Sequence, residues 1–81
     1  MLFRSLLNAV NTVKIGKDTF AVETLREAQA AWLSALSTYG WPASEAPRCV
    51  ATVNGERFRI SYNGRAWRKN GSEATTSTLN A

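Results

Sequence analysis

The sequence contains no histidine and a single cysteine, Cys49, among its 81 residues. Without histidine, the usual general base near neutral pH and the commonest zinc ligand are both missing. The six acids are scattered without the close spacing that holds a hard metal ion. The five glycines form no phosphate-binding loop. These absences predict a protein that is not an enzyme and has neither a cofactor nor a metal site.

Long apolar runs are missing as well, since no stretch approaches the roughly 20 residues needed to cross a bilayer. We therefore expect no membrane contact. The opening residues, MLFRSLLNAV, are not followed by the small-residue cleavage site of a secretory signal. A lone cysteine excludes an internal disulfide and is typical of a reducing compartment. We expect a cytoplasmic protein.

Positive charge is concentrated in the second half of the chain. Residues 48–69 contain five arginines, one lysine and one acid, Glu56, which gives a net charge of +5. Residues 1–47 contain four cations and four acids and balance to zero. A charge concentrated in this way attracts an anionic partner, either nucleic acid or an acidic protein patch.

The patterns divide the chain into one domain with two flanking segments. Residues 1–10 form either a short helix or an extension that lies on the fold, because their apolar residues recur at helical spacing. Residues 11–71 form a single α+β domain. Residues 72–81 are small and polar, and we expect a flexible C-terminal tail.

The first half of the domain is predicted to be a hairpin followed by a helix. Apolar and polar residues alternate over residues 11–15 and 18–22, as in two paired strands. The sequence from Thr24 to Glu27 is a capping box, in which the Glu27 carboxylate accepts from the Thr24 amide. It opens an amphipathic helix that runs to about Thr38 and is terminated by Gly40.

Three Asn-Gly pairs, at residues 54–55, 63–64 and 70–71, organise the second half. Asn-Gly between alternating segments predicts a two-residue hairpin turn, because both residues tolerate positive φ. The predicted strands are residues 48–53, 56–62 and 65–69. The fold is therefore one helix packed on an antiparallel sheet of four or five strands, in the order ββαβββ.

Two-residue turns fix the register and therefore the two faces of the sheet. The predicted core face carries Cys49, Ala51, Val53, Phe58, Ile60, Tyr62 and Trp67. The opposite face, which we call the predicted arginine face, carries Arg48, Arg57, Arg59 and Arg68, and Arg65 is a further candidate for partner binding. Arg59 directly opposite Arg68 is an unfavourable pair unless an anion neutralises it.

The predicted arginine face has two interpretations. The planar guanidinium group binds phosphates and carboxylates in bidentate fashion, which favours a partner-binding surface. Antiparallel sheets also commonly leave one face in water, so the cations can be simply solvated. Trp41, in the loop after the helix, either fills the edge of the core or stands exposed as a further contact.

The stretch G-K-D-T-F, L-R-E-A, A-P-R and V-N-G-E-R-F-R-I-S-Y-N-G-R-A-W resembles small proteins encoded by phages and other mobile elements. Among these are anti-CRISPR inhibitors of type I systems, which are similar in size and in their helix-plus-sheet layout. The similarity covers about residues 13–70, and its most specific part is residues 60–67. Such inhibitors usually bind the guide-RNA–protein surveillance complex and block target DNA. For a basic chain, the resemblance implies that the inhibitor binds either an acidic protein surface or exposed guide RNA of that complex.

Together with the charge pattern, the resemblance implies a non-enzymatic inhibitor that binds a type I CRISPR surveillance (Cascade) complex through the predicted arginine face and blocks target DNA binding. It would act in the cytoplasm of the host bacterial cell, as a monomer or weak homodimer, with a protein or ribonucleoprotein complex as its partner. The alternative is a small basic module that binds the backbone of DNA or RNA directly. A third interpretation is a small structural phage protein.

Overall fold

The structure, a computed structural model, describes residues 11–81, so the helix or extension predicted for residues 1–10 lies outside it. The elements are β1 (Thr12–Ile15), β2 (Asp18–Ala21), α1 (Leu25–Tyr39), β3 (Cys49–Val53), β4 (Glu56–Ile60), β5 (Ala66–Arg68) and α2 (Thr76–Asn80). The five strands form one antiparallel sheet in the order β2-β1-β3-β4-β5. The predicted α+β fold and its ββαβββ order are confirmed, and α2 is an additional element.

The capping box begins α1 as predicted, with one difference. The Thr24 hydroxyl accepts a hydrogen bond from the Glu27 backbone N–H at 3.2 Å. The Glu27 carboxylate, however, accepts from the backbone N–H of Glu23 rather than from that of Thr24. At the other end Gly40 adopts a φ of 67° and donates its N–H to a carbonyl of the last turn. Each end of the helix therefore has partners for backbone groups that would otherwise be unpaired.

The core lies between α1 and the sheet. Its buried apolar residues are Val13, Ile15, Val22, Leu25, Ala28, Trp32, Cys49, Ala51, Val53, Phe58, Ile60 and Ala66. Trp32 is 1% exposed, and its indole N–H donates to the Tyr62 carbonyl at 3.1 Å. The largest buried side chain therefore also has its polar atom satisfied, as buried polar groups require.

The first Asn-Gly turn matches the prediction. Asn54 and Gly55 both have positive φ, at 53° and 80°, as a type I′ turn requires. β3 and β4 pair with Val53 opposite Glu56, which is the predicted register.

The second Asn-Gly turn differs from the prediction, because its loop has three residues. Gly64 has a φ of 89°, but Asn63 does not share the positive φ. The Gly64 N–H donates to the Ser61 carbonyl at 2.8 Å, and the Ser61 N–H donates to the Arg65 carbonyl at 2.9 Å. Residues 62–64 thus form the loop, in the arrangement of a hairpin turn followed by a left-handed glycine.

This extra loop residue shifts the register between β4 and β5 by one position. Arg59 is opposite Trp67, and Phe58 is opposite Arg68. The predicted pairing of Arg59 with Arg68 is therefore wrong. Because side chains alternate between faces along a strand, the shift also exchanges the faces of Trp67 and Arg68.

Side chains of α1 hold the three-residue loop. The Gln29 amide donates to the Gly64 carbonyl at 2.9 Å, in addition to the Trp32 bond to Tyr62. A Cβ at Gly64 would lie 2.9 Å from the Leu33 Cδ2 atom. Contacts with α1, which lies some 30 residues earlier in the chain, therefore stabilise the three-residue form of the loop.

The sequence predicts a flexible tail for residues 72–81. In the structure, residues 72–74 pair with β5, and α2 follows them. The turn at Asn70 and Gly71 brings the chain back, and the Ala74 N–H donates to the Ala66 carbonyl at 2.9 Å. Leu79 of α2 packs against the core. In the part of the chain described, no helix has the length and apolar character needed to cross a membrane.

Replacing Trp32 by alanine should lower the free energy of unfolding by about 3–5 kcal/mol, because a buried ring leaves a cavity. This is a large share of the roughly 5–15 kcal/mol that stabilises a native domain. Ser34→Ala, at an exposed position of the same helix, should change it by less than about 0.5 kcal/mol. Urea denaturation measures both. Equal stability of the two variants would contradict the packing of α1 on the sheet.

Replacing Gly64 by alanine should destabilise the domain more than Gly71→Ala does. The two glycines have nearly equal φ, 89° and 91°, but a Cβ at Gly71 meets nothing within 4 Å. The shared backbone strain therefore cancels, and the difference isolates the contact with Leu33. Overpacking of this kind costs about 1–3 kcal/mol. Thermal melting of both variants tests this, and identical losses would show that Leu33 does not press on the loop.

Candidate functional site

The face of the sheet opposite α1 is the outer face, defined by its strand residues Thr12, Lys14, Thr19, Ala21, Val50, Thr52, Arg57, Arg59 and Trp67. Both helices of residues 11–81 lie against the other face, since α1 covers the core and α2 bonds to α1 through Arg26 and Asn80. The described chain therefore leaves the outer face open.

Cross-strand pairing arranges these residues in two rows. The longer row runs through Thr19, Lys14, Val50, Arg59 and Trp67, each opposite the next on the neighbouring strand. The shorter row contains Ala21, Thr12, Thr52 and Arg57. Because neighbouring strands lie about 4.8 Å apart, Lys14 and Trp67 are roughly 14 Å apart. From Lys14 to Trp67, the longer row alternates cationic and apolar side chains.

Two shallow grooves join on this face. Both are lined by Arg48, Val50 and Arg57. One extends toward Lys14 on β1, and the other extends toward Trp67 on β5. The outer face is thus a continuous surface rather than two separate sites.

The outer face carries positive charge that its own strands do not neutralise. Lys14, Arg57 and Arg59 are all exposed on it. The acids located in the strands, Asp18 and Glu56, are paired with Ile15 and Val53, and so they lie on the helix side. Within the five strands of residues 11–81, no Asp or Glu occupies an outer-face position. Glu73 bridges Trp67 from the C-terminal segment and lies at the edge of this face, where its carboxylate is 3.9 Å from the Arg65 Nε. The field of this surface therefore favours an anion.

Of the predicted arginine face, the structure brings together Arg48, Arg57 and Arg59. The first two line both grooves, and Arg59 lines the groove beside Trp67. All three follow from the register of β3 and β4, which the two-residue turn at Asn54-Gly55 fixes. This part of the predicted surface is correctly placed.

The register turns the Arg68 side chain to the helix side, so its predicted place on the outer face is wrong, although the residue also borders the groove beside Trp67. Its guanidinium forms an ion pair with Glu56 and donates to the Thr78 hydroxyl at 2.8 Å. It also lies 5.4 Å from the centroid of the Phe58 ring, a cation–π distance. Arg68 therefore fastens α2 to the helix side of the sheet and is partly neutralised there.

Arg65 and Trp41 lie apart from the outer-face grooves. Arg65 follows the loop before β5, and its Nε lies 3.9 Å from a Glu73 carboxylate oxygen. Trp41 is half-buried on the helix side, stacked between Trp32 at 6.0 Å and Tyr39 at 4.9 Å. Of the two alternatives for Trp41, the structure places it at the edge of the core.

Sequence reasoning missed three residues of the site: Lys14, Lys69 and Trp67. Because Lys14 lies between Val13 and Ile15, the alternation predicts that its side chain points away from the core. The sequence does not predict that β1 pairs with β3, which places Lys14 beside Val50. Lys69 is two residues after Trp67 and lines the same groove. The side of the sheet on which Trp67 lies depends on the length of the loop between β4 and β5, and the sequence contains no local signal for that length.

The remaining reactive group, Cys49, is in the core. Burial raises the pKa of its thiol to about 12, so the thiol stays protonated at neutral pH and is a poor nucleophile. Among residues 11–81, no group of three or more His, Cys, Asp or Glu side chains is placed to hold a metal ion. The chemistry available at the outer face is therefore that of guanidinium, ammonium and indole groups.

Comparison of the chain with protein-family models, curated proteins and solved structures finds no match. The resemblance to anti-CRISPR inhibitors gains no support from these comparisons.

Arg68→Ala should lower the free energy of unfolding by about 1–2 kcal/mol, because it removes a partly exposed ion pair, a hydrogen bond and a cation–π contact. Arg59→Ala removes the same side chain from the exposed outer face and should cost less than about 0.5 kcal/mol. Urea denaturation of both variants measures the difference. A reversed order would contradict the register between β4 and β5.

Proposed function

We propose that this protein acts by binding, without catalysis, and that its outer face is the surface that contacts an anionic partner. The observation that carries the proposal is the set of cations on the outer face and its rim, with no acid at any strand position of that face among residues 11–81. These cations are Lys14, Arg48, Arg57, Arg59 and Lys69. Their guanidinium and ammonium groups suit phosphate or carboxylate ligands.

The simpler interpretation is a face that is only solvated. Such faces usually intersperse charges of both signs, which keeps the local field small. Here the acids of the strands are on the helix side, and a half-buried tryptophan lies among the cations of the outer face. The acid beside this ring, Glu73, bridges Trp67 from the C-terminal segment and has Arg65 at 3.9 Å. A ring whose groove is lined by cations, with its neighbouring acid paired in this way, favours recognition over solubility.

For the partner, we propose a type I CRISPR surveillance complex in the host bacterial cell, bound so that target DNA is excluded. Two observations support this choice. Residues 13–70 resemble type I anti-CRISPR inhibitors, and a complex of protein and guide RNA presents the anionic surface that the outer face requires. An inhibitor needs no catalytic group, which agrees with the protonated, buried Cys49.

A second candidate is a small module that binds the backbone of nucleic acid directly. The observation that favours it is Trp67, which shares the outer face with Arg57 and Arg59. Phosphate contacts of such a module would make affinity fall steeply with salt, in proportion to the number of phosphates neutralised.

Replacing Arg57 and Arg59 by glutamate should abolish partner binding, because reversed charges turn attraction into repulsion within a complementary patch. The matched control is Lys17→Glu with Arg26→Glu, which makes the same change in net charge away from both outer-face grooves. The control should retain binding. Both double variants should remain folded, as measured by thermal melting.

The binding assay uses purified type I surveillance complexes in a pull-down, followed by a mobility-shift assay of target DNA binding. Retention by a complex and loss of its DNA binding would support the inhibitor. Steeply salt-dependent binding to free nucleic acid, with no retention by any complex, would favour the second candidate. If the Arg57 and Arg59 double variant binds every partner that the wild type binds, the outer face is not the contact surface.

A further inference from the structure

Trp67 occupies a position on the outer face that core packing does not explain. It is half-buried in β5, directly opposite Arg59 and on the side away from α1. Its indole N–H donates to the Ser61 hydroxyl at 3.2 Å, which anchors one edge of the ring. The ring is thus held in place on an open surface, although it contributes nothing to the core beneath the helix.

The surroundings of Trp67 combine two apolar neighbours with several cations. Val50 and Phe58 line the same groove together with Arg48, Arg57, Arg59 and Lys69, and Arg68 borders it. The groove is shallow and open to solvent, with a volume of about 480 Å³, so a planar ring system has room beside the indole. An aromatic platform with cations around it offers two kinds of contact at once, stacking and charge neutralisation.

Different anionic partners would use this groove differently. A protein interface also enriches tryptophan and arginine, but it concentrates apolar residues at its centre and depletes lysine there, whereas here the groove beside the one half-buried ring is lined mainly by cations, with Lys69 among them. Double-stranded nucleic acid presents phosphates but keeps its bases stacked inside. A single strand presents phosphates together with unstacked base faces, and proteins bind it with a cationic groove and aromatic side chains.

We propose that the outer face binds single-stranded nucleic acid, with a base stacked on Trp67 and the neighbouring phosphates held by Arg57, Arg59 and the rim cations. This inference rests on the proposed role of the outer face and specifies the chemistry that it recognises. The strand comes from either RNA or DNA, because stacking and phosphate contacts are common to both. In a surveillance complex, the exposed guide RNA is a source of such a strand.

The first test uses the wild-type protein and three oligonucleotides of equal length: oligouridine RNA, oligothymidine DNA and an abasic DNA. The abasic strand keeps the phosphates but has no bases to stack. Fluorescence anisotropy should show binding to at least one of the first two that is about fivefold to a hundredfold tighter than to the abasic strand, as stacking of one base implies. The preference between uridine and thymidine strands identifies the source. Equal affinity for all three strands, or no binding to any, overturns the proposal.

The second test compares variants of Trp67. Trp67→Leu should lose the preference for strands with bases while keeping the weaker, salt-dependent binding to the abasic strand. Trp67→Phe lacks the indole N–H but keeps an aromatic face, and it should restore most of the preference. Binding should also quench tryptophan fluorescence in the wild type and not in Trp67→Phe. If Trp67→Leu fails to fold, the wild-type comparison and the quenching measurement still decide the question.

The experiments distinguish a failure of the base-stacking proposal from a failure of the proposal that the outer face is the contact surface. If the Arg57 and Arg59 double variant loses binding to a surveillance complex while Trp67→Leu binds normally, the contact surface is correct and base stacking is wrong. Binding to protein subunits stripped of RNA, unaffected by Trp67→Leu, would likewise overturn the single-strand proposal. If neither set of substitutions affects any binding, both proposals fail.

Discussion

Hydrogen bonds from α1 to the loop between β4 and β5 determine the arrangement of the outer face. Trp32 donates to the Tyr62 carbonyl and Gln29 donates to the Gly64 carbonyl, while Leu33 lies against Gly64. These contacts accommodate a loop of three residues with its glycine in the left-handed region. Because a change of one residue in loop length reverses every side chain of the next strand, the helix on one side of the sheet decides what appears on the other side.

The first consequence is a separation of charge across the sheet. Arg68 turns to the helix side, where Glu56 and Thr78 bind it, so its charge is offset and it serves the attachment of α2. Arg57 and Arg59 remain on the outer face, where no strand acid of the described chain meets them. Arg68 thus contributes to the stability of the domain, whereas Arg57 and Arg59 contribute to the positive potential of the outer face.

The second consequence is the exposure of an aromatic ring among these cations. In the predicted register Trp67 would have filled the core, but Ala66 is buried there instead, and Ala74 and Leu79 of the C-terminal segment complete the packing. A small residue beneath the sheet leaves room for that segment. The tryptophan is consequently on the outer face, and the proposal of single-strand binding depends on its position there, whereas the proposal of an inhibitor depends on the cations.

Local chemistry in the sequence determined the elements from β1 to β5, but not α2, and one of the two decisive registers. The capping box at Thr24, the left-handed Gly40 and the type I′ turn at Asn54-Gly55 each act over a few residues, so their outcomes were predictable, as was the grouping of Arg48, Arg57 and Arg59. The tertiary structure decided the sides of Trp67 and Arg68 and the position of Lys14 beside β3. The reason is physical: Asn-Gly is compatible with loops of two or three residues, and contacts with α1, distant in sequence, select between them.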